Sequence, residues 1–88
     1  MVVQKFGGTS VADPEAIRRL IEIVRAARTR DARGPAVVVS AMSRVTDGLL
    51  GVADSAGASH VAEALSRTQL IRERHLLTAR ELGVCLGD

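Results

Sequence analysis

Residues 2–10 read VVQKFGGTS, and this stretch decides the fold. Its first five residues favour extended backbone, so they predict a β-strand over residues 2–6. Gly7 and Gly8 then end the strand with residues that tolerate positive φ and a close approach of other backbone. Asp13 and Pro14 follow as a helix start, because aspartate caps helices and proline suits the first helical position. The chain therefore begins with a strand, a glycine turn and a helix.

A second strand follows the first helix. Apolar residues recur at helical spacing and predict a helix over about residues 14–30; they are Ile17, Leu20, Ile21, Val24 and Ala27. Gly34 and Pro35 break the chain, and residues 36–39 read AVVV, the pattern of a strand buried on both faces. A helix between two such strands predicts a parallel β-α-β unit with a right-handed crossover. The fold class is therefore α/β.

Two further helices are predicted after the second strand. Thr46 or Asp47 can cap the first of them, and residues 57–59 make a plausible break after it. The last helix is predicted over about residues 60–82, with Gly83 at its C-terminal cap. One apolar stripe is predicted along this helix; its members are Val61, Ala64, Leu65, Thr68, Ile71, His75, Leu76, Ala79 and Leu82.

Composition narrows the classes of function. With 88 residues the chain is one small domain or part of one, and 47% apolar and 25% charged residues are typical of globular proteins. A net charge of +2 and a single aromatic residue, Phe6, argue against a nucleic-acid partner. No apolar run approaches the length of a membrane span, so no membrane role is expected. The single cysteine, Cys85, cannot form an internal disulfide, which fits a reducing cytoplasm.

The first candidate site is the segment from Lys5 to Ser10. It places a cation at a strand end, then Gly7 and Gly8, and then two hydroxyls, a composition suited to a phosphate cradle. Lys5 is the only lysine, since the other eleven of the twelve lysine and arginine residues are arginines. The alternative is that Gly7 and Gly8 only form a tight turn and that Lys5 is a surface charge. The glycine pattern alone favours that alternative.

The second candidate site runs from Ser40 to Asp47, after the second strand. Ligands of open α/β sheets bind at the carboxyl ends of the strands, and Ser40 and Thr46 supply hydroxyls there. Alternatively, Ser40 is a turn residue and Thr46 a helix cap. Two polar turns at the same ends of neighbouring parallel strands would face one crevice, which favours a site for two substrates.

Histidines, the cysteine and a methionine offer weaker signals. His60 and His75 stand fifteen residues apart with no carboxylate-histidine pattern, so no metal site is predicted. His75 is expected to be partly buried with a hydrogen-bond partner, and His60 to begin the last helix. Cys85 is predicted to be a structural thiol and Met42 a packing residue.

Two motifs resemble those of one enzyme family. Residues 5–12, KFGGTSVA, resemble the opening signature of aspartate kinases, and residues 37–43 and 45–47, VVVSAMS and VTD, resemble their second motif in the same order and separation. The resemblance implies a three-layer αβα amino-acid kinase fold of the carbamate kinase type. Residues 1–88 would be its amino-terminal portion, with no regulatory ACT domain.

The resemblance also implies a reaction. ATP with Mg²⁺ would phosphorylate the side-chain carboxylate of L-aspartate, with Lys5 as the catalytic cation that contacts the transferring phosphates. The phosphate site would be shaped by Gly7, Gly8, Thr9 and Ser10. Ser40 and Thr46 would help to hold aspartate, and the full-length protein would be a homo-oligomer.

Three points stay open at this stage. Arg44 stands where the family pattern predicts a small residue, and the sequence gives it no role. The 88 residues alone are expected to be an incomplete and inactive fragment. The alternatives are a small phosphate-binding or assembly module and a related kinase of another substrate.

Overall fold

A computed structural model describes residues 2–84 as a mixed α/β chain. Its elements, in order, are β1 (Val3–Phe6), a 3₁₀ turn (Gly8–Val11), α1 (Pro14–Arg30), β2 (Ala36–Val39), α2 (Val45–Gly57) and α3 (Val61–Glu81). This order is the predicted one, and the bounds of α1 and β2 coincide with those read from the sequence. The prediction for Cys85 falls outside the described residues. The chain divides into two compact units, Met1–Ser43 and Arg44–Asp88.

A parallel pair of strands forms the first unit's sheet, as predicted. Val3 pairs with Ala36, and the register continues to Phe6 opposite Val39. The pairing extends one residue past β2, because the Ser40 N–H donates to the Phe6 carbonyl at 3.1 Å. The carboxyl ends of both strands therefore lie at one edge of the sheet.

The start of α1 is built as the sequence predicts. Asp13 is the N-cap in extended conformation, and its Oδ1 accepts a hydrogen bond from the Ala16 N–H at 2.8 Å. Pro14 occupies the first helical position, where its missing N–H leaves no helical bond unmade. Ala16 is buried in the first turn. This cap fixes where the chain turns from the glycine segment into the helix.

The prediction that β2 is buried on both faces is wrong for the described chain. Val37, Val38 and Val39 are 41%, 50% and 54% exposed. The reason is that the sheet formed by residues 2–84 has only two strands, so β2 is an edge strand with little covering it. A continuous apolar run indicates that a strand is suited to burial. Whether it is buried depends on strands or helices that cover it, and residues 2–84 provide few of them.

Two helices pack together in the second unit. Small residues of α2 let α3 approach: a Cβ at Gly48 would lie 3.3 Å from Cδ1 of Ile71, and one at Gly51 would lie 2.9 Å from Nη1 of Arg67. The predicted stripe on α3 is buried only in part; Ala64 is buried, while Val61 and Leu65 are exposed. The α2–α3 interface therefore covers only part of the apolar stripe predicted on α3.

The prediction that Thr46 or Asp47 caps α2 is wrong. Arg44 is the N-cap, in the left-handed region at φ 70°, and its side chain makes no capping hydrogen bond. Its carbonyl accepts from the Gly48 N–H at 3.0 Å, which closes the first turn two residues earlier than Thr46 would allow. Thr46 and Asp47 therefore lie inside the first turn of α2.

Both helices of the second unit end in the same hydrogen-bonded motif. After α3, the N–H of Val84 donates to Ala79 and that of Gly83 to Arg80, with Gly83 at φ 75°. After α2, the N–H of His60 donates to Ser55 and that of Ser59 to Ala56, and Ser59 has φ 64°. These are Schellman motifs, in which glycine is the favoured left-handed residue. Gly83 confirms the predicted cap, whereas the cap of α2 carries a serine.

The two caps make a reciprocal test of stability. Ser59→Gly should raise the free energy of unfolding by about 1 kcal/mol, because glycine adopts positive φ without a Cβ penalty. Gly83→Ala should lower it by about the same amount. Urea denaturation followed by circular dichroism measures both. Equal stability of all three chains would contradict the cap assignment.

The N-cap of α1 gives a second test. Asp13→Ala should lower the free energy of unfolding by about 1 kcal/mol, because the Ala16 N–H loses its acceptor. Asp13→Asn is the matched control, since the amide oxygen can still accept and only the charge is lost. If Asn destabilised the chain as much as Ala, charge and not the cap would account for the loss.

Candidate functional site

Gly7 has extended backbone and Gly8 begins the 3₁₀ turn, and neither residue is left-handed. Gly7 has φ −80° and ψ −179°, and the positive-φ glycines among the described residues are Gly34 and Gly83. Gly7 and Gly8 therefore do not use the positive φ that glycine tolerates. The Ser10 N–H donates to the Gly7 carbonyl at 3.0 Å and closes the 3₁₀ turn. A Cβ at Gly7 would meet nothing within 4 Å, so the Gly7 backbone is open to a ligand.

Gly8 meets the loop that follows β2. A Cβ at Gly8 would lie 3.5 Å from Cα of Ser43, 3.6 Å from the Ala41 carbonyl oxygen and 3.7 Å from Oγ of Ser40. These are ordinary van der Waals distances, so Gly8 lies beside this loop, and a Cβ there would fill the remaining space between them. The structure brings the first candidate segment and Ser40 together, which confirms that the turns leaving β1 and β2 face each other.

Lys5 lies one residue before the end of β1 and opposite Val38. Its side chain is exposed, and successive side chains of a strand point to opposite faces, so Lys5 and Phe6 lie on different faces of the sheet. Among residues 2–84, no carboxylate forms an ion pair with Lys5. Its ammonium group is therefore available to an anion near the strand end.

The two proposed aspartate-binding hydroxyls belong to different units. Ser40 is exposed in the first unit, and its hydroxyl donates to the Ala41 carbonyl at 2.8 Å, which leaves the oxygen lone pairs free to accept. Thr46 is exposed in the first turn of α2, in the second unit. Each hydroxyl is accessible where it lies.

Sequence reasoning missed a cavity beside the glycine segment. A cavity of about 240 Å³, open to solvent on one side, lies between β1, the 3₁₀ turn and α1; the lining residues are Phe6, Thr9, Ser10, Ala16, Arg19, Leu20 and Ile23. The cavity contains one cation, Arg19, that the sequence analysis did not single out. A signal existed, because Arg19 follows the buried Ala16 by three residues and such pairs share a helix face.

The histidines have local roles. His75 is exposed, so its predicted partial burial is wrong, but its Nδ1 lies 2.7 Å from the Ile71 carbonyl oxygen and has the expected partner. His60 is the N-cap of α3, and its Nδ1 is 3.6 Å from Oε2 of Glu63. Residues 2–84 contain no group of three or more His, Cys, Asp or Glu that could hold a metal ion.

Membrane insertion finds no support in the helices. None of those within residues 2–84 combines the length and apolar composition that crossing a bilayer requires.

The fold and the glycine segment agree with a family assignment. The model of the amino acid kinase family matches residues 1–85, so the chain belongs to the amino acid kinase family. Its parallel strands with a connecting helix, and polar loops at one sheet edge, are the part of that fold the chain supplies.

Curated relatives share one name. The chain is similar to aspartokinase 3, chloroplastic, of Arabidopsis thaliana, at 38% identity over 85 residues, which is 93% of the chain and 14% of that protein. It is 41% identical to the aspartokinase of Chlamydia trachomatis over 83 residues, 94% of the chain and 17% of that protein. The aspartokinase of Mycobacterium tuberculosis H37Rv is 51% identical over 53 residues, 60% of the chain and 12% of that protein. The chain thus spans a small fraction of these relatives' length.

The contact at Gly8 can be tested against the open space at Gly7. Gly8→Val should destabilise the chain by about 1–3 kcal/mol, because the branched side chain meets backbone atoms of the loop after β2. Gly7→Val should change stability by less than about 0.5 kcal/mol, since its extended backbone suits valine and no atom lies in the way. Thermal unfolding followed by circular dichroism compares the two variants, and equal losses would contradict the position of Gly8 beside the loop after β2.

Proposed function

We propose that the chain provides the phosphate-binding loop and part of the substrate site of an aspartate kinase, which phosphorylates L-aspartate with ATP. The observation that carries this proposal is the contact of Gly8 with the loop from Ser40 to Ser43. Two loops that leave the same edge of a parallel sheet can hold a donor and an acceptor of a phosphoryl group side by side. The names of the relatives support the choice of aspartate.

The phosphate side of the site is the segment after β1. The open backbone at Gly7 allows phosphate oxygens to approach without meeting a side chain. Gly8 keeps the turn against the second loop, and Thr9 and Ser10 add hydroxyl donors that shape the site. Lys5 supplies the positive charge, and its compact ammonium group can follow a phosphoryl group as it moves.

The residues proposed for aspartate are Ser40, in the first unit, and Thr46, in the second. Both hydroxyls are exposed and can hydrogen-bond to a carboxylate or to the amino group of the substrate. A Cβ at Gly8 would lie 3.7 Å from Oγ of Ser40, and this proximity to the phosphate loop supports the assignment of Ser40 to the acceptor. Thr46 is assigned by its place in the second motif.

The reaction follows from these groups. A β-carboxylate oxygen of aspartate attacks the γ-phosphorus of ATP, the bond from that phosphorus to the bridging oxygen breaks, and the products are 4-phospho-aspartate and ADP. The acceptor needs no general base, because a carboxyl group with an ordinary pKa of about 4 is ionised at neutral pH. Alignment and charge neutralisation are what the chain must provide, and Lys5 is its catalytic residue.

ATP fits the residues present, whereas Mg²⁺ finds no ligand set among them. Open glycine backbone and Lys5 suit phosphates, but residues 2–84 present no acidic cluster. Mg²⁺ is commonly bound through carboxylates together with substrate phosphates, so the metal would arrive on the nucleotide. When bound, it neutralises phosphate charge.

Other properties of the whole protein are part of the same proposal. They are the three-layer αβα fold, a homo-oligomeric state, a cytoplasmic location, and the absence of nucleic-acid and membrane partners. The chain covers 14–17% of the Arabidopsis and Chlamydia relatives, and we propose that alone it is inactive.

A chimera tests the function. Residues 1–85 should replace the matching segment of the Chlamydia aspartokinase, and trapping of the acyl phosphate by hydroxylamine should then give ATP-dependent aspartyl hydroxamate. The chain alone should give none. A folded chimera that phosphorylates only glutamate would favour a related kinase, and one that binds ATP without transfer would favour a binding module.

Lys5 provides the sharpest variant in that chimera. Lys5→Met should lower kcat by about a hundredfold or more, because a cation at the transferring phosphates is lost. Arg33→Met is the matched control, since Arg33 is an exposed cation in the loop before β2, at the other edge of the sheet. Full activity of Lys5→Met would contradict the catalytic assignment.

A further inference from the structure

We propose that the cavity between β1, the 3₁₀ turn and α1 is a separate binding site for a small oxyanion with a short apolar part, with Arg19 as its cation. The cavity is lined by the residues named above and measures about 240 Å³. Drug-sized pockets begin at roughly 300 Å³, so this one suits one anionic group and a few carbons. The site goes beyond the proposed function, in which Lys5 holds the nucleotide phosphates: it shares Thr9 and Ser10 with the phosphate loop but has a different cation, Arg19.

The polar wall of the cavity offers donors to an anion. Thr9 and Ser10 line one side, and within residues 2–84 their side-chain hydroxyls have no hydrogen-bond partner. Arg19 lines the cavity from α1. Two hydroxyls and a guanidinium group around one space match the acceptor oxygens of a phosphate or carboxylate.

Arg19 is poorly neutralised by its neighbour. Its Nη1 lies 3.6 Å from Oε1 of Glu15, too far for a hydrogen bond, and both side chains are well exposed. Arg25 on the same helix differs, because its Nη1 donates to Oε1 of Glu22 at 2.9 Å. Arg19 therefore keeps donors for a ligand, and Arg25 is its matched control.

The other lining residues are apolar. Phe6 points to this side of the sheet, and Leu20 and Ile23 complete the wall from α1. Ile23 is 50% exposed, so part of this surface meets water when the cavity holds no ligand. A ligand with a short hydrocarbon part would cover it and gain by the removal of apolar surface from water.

The strand geometry separates this cavity from Lys5. Lys5 and Phe6 are consecutive in β1, and Phe6 lines the cavity, so the Lys5 side chain leaves the strand on the other face. Loss of Lys5 and loss of Arg19 should therefore affect different ligands.

Titrations of the 88-residue chain test the site. Inorganic phosphate, at fixed ionic strength, should shift the amide signals of Leu20 and Ile23, which line the cavity and lie outside the phosphate loop, in ¹H–¹⁵N NMR spectra. Arg19→Gln should weaken phosphate binding at these signals by about tenfold, because a charged hydrogen-bond donor is lost. Arg25→Gln and Lys5→Met should change it by less than about twofold, since distant exposed charges are screened.

Carboxylates then test the apolar wall. Propionate should bind more tightly than acetate, by up to about fourfold for the added methylene. Equal weakening by Arg19→Gln and Arg25→Gln would show general charge attraction and overturn the site, as would the absence of any shift. If the shifts disappeared in Lys5→Met, phosphate binding in the cavity would depend on Lys5. The cavity and the nucleotide site would then be one site, and the inference would be wrong. The hydroxamate assay of the chimera tests the proposed kinase function separately, so failure of the cavity proposal and failure of the proposed function can be distinguished.

Discussion

Parallel pairing of β1 with β2 is the constraint on which the site depends. It places Phe6 opposite Val39, and the Ser40 N–H bonded to the Phe6 carbonyl carries the pairing into the second loop. Only with the strands in this register does Gly8 lie against Ser40. A slip of one residue would turn every side chain of β1 to the other face and would exchange the positions of Lys5 and Phe6. The register thus sets both the reach of the cation and the composition of the cavity.

Much of this architecture could be predicted because its signals are local. Asp13 and Pro14 define the start of α1 by capping chemistry, and Gly34 and Pro35 mark the break before β2. Parallel pairing followed from the helix between two strands, and the meeting of the two loops followed from the pairing. The family resemblance rests on the same residues, and the match over residues 1–85 agrees with it.

The features that could not be predicted from the sequence depend on which residues lie nearby in the fold and on backbone conformation. The valines of β2 favour burial, yet their exposure is set by which strands lie beside them. Arg44 is the N-cap of α2 with left-handed backbone, a conformation that is uncommon for residues other than glycine and is not predicted from the presence of an arginine. In the sequence, Arg19 resembles any surface arginine of a helix. Only the structure shows that it lines a cavity together with residues of the 3₁₀ turn. In each case the deciding atoms belong to residues distant in the chain or to backbone angles.

The separation in sequence between β1 and β2 has a consequence for the order of folding. Val3 and Ala36 are joined by a loop containing all of α1, and closing a flexible loop of that length costs about 3 kcal/mol of entropy. The hairpin of α2 and α3 joins elements adjacent in sequence and has no such loop to close. The helical hairpin should therefore form first. The pairing of β1 with β2, which brings the two loops together, should form late, after α1 has shortened the distance between the two strands.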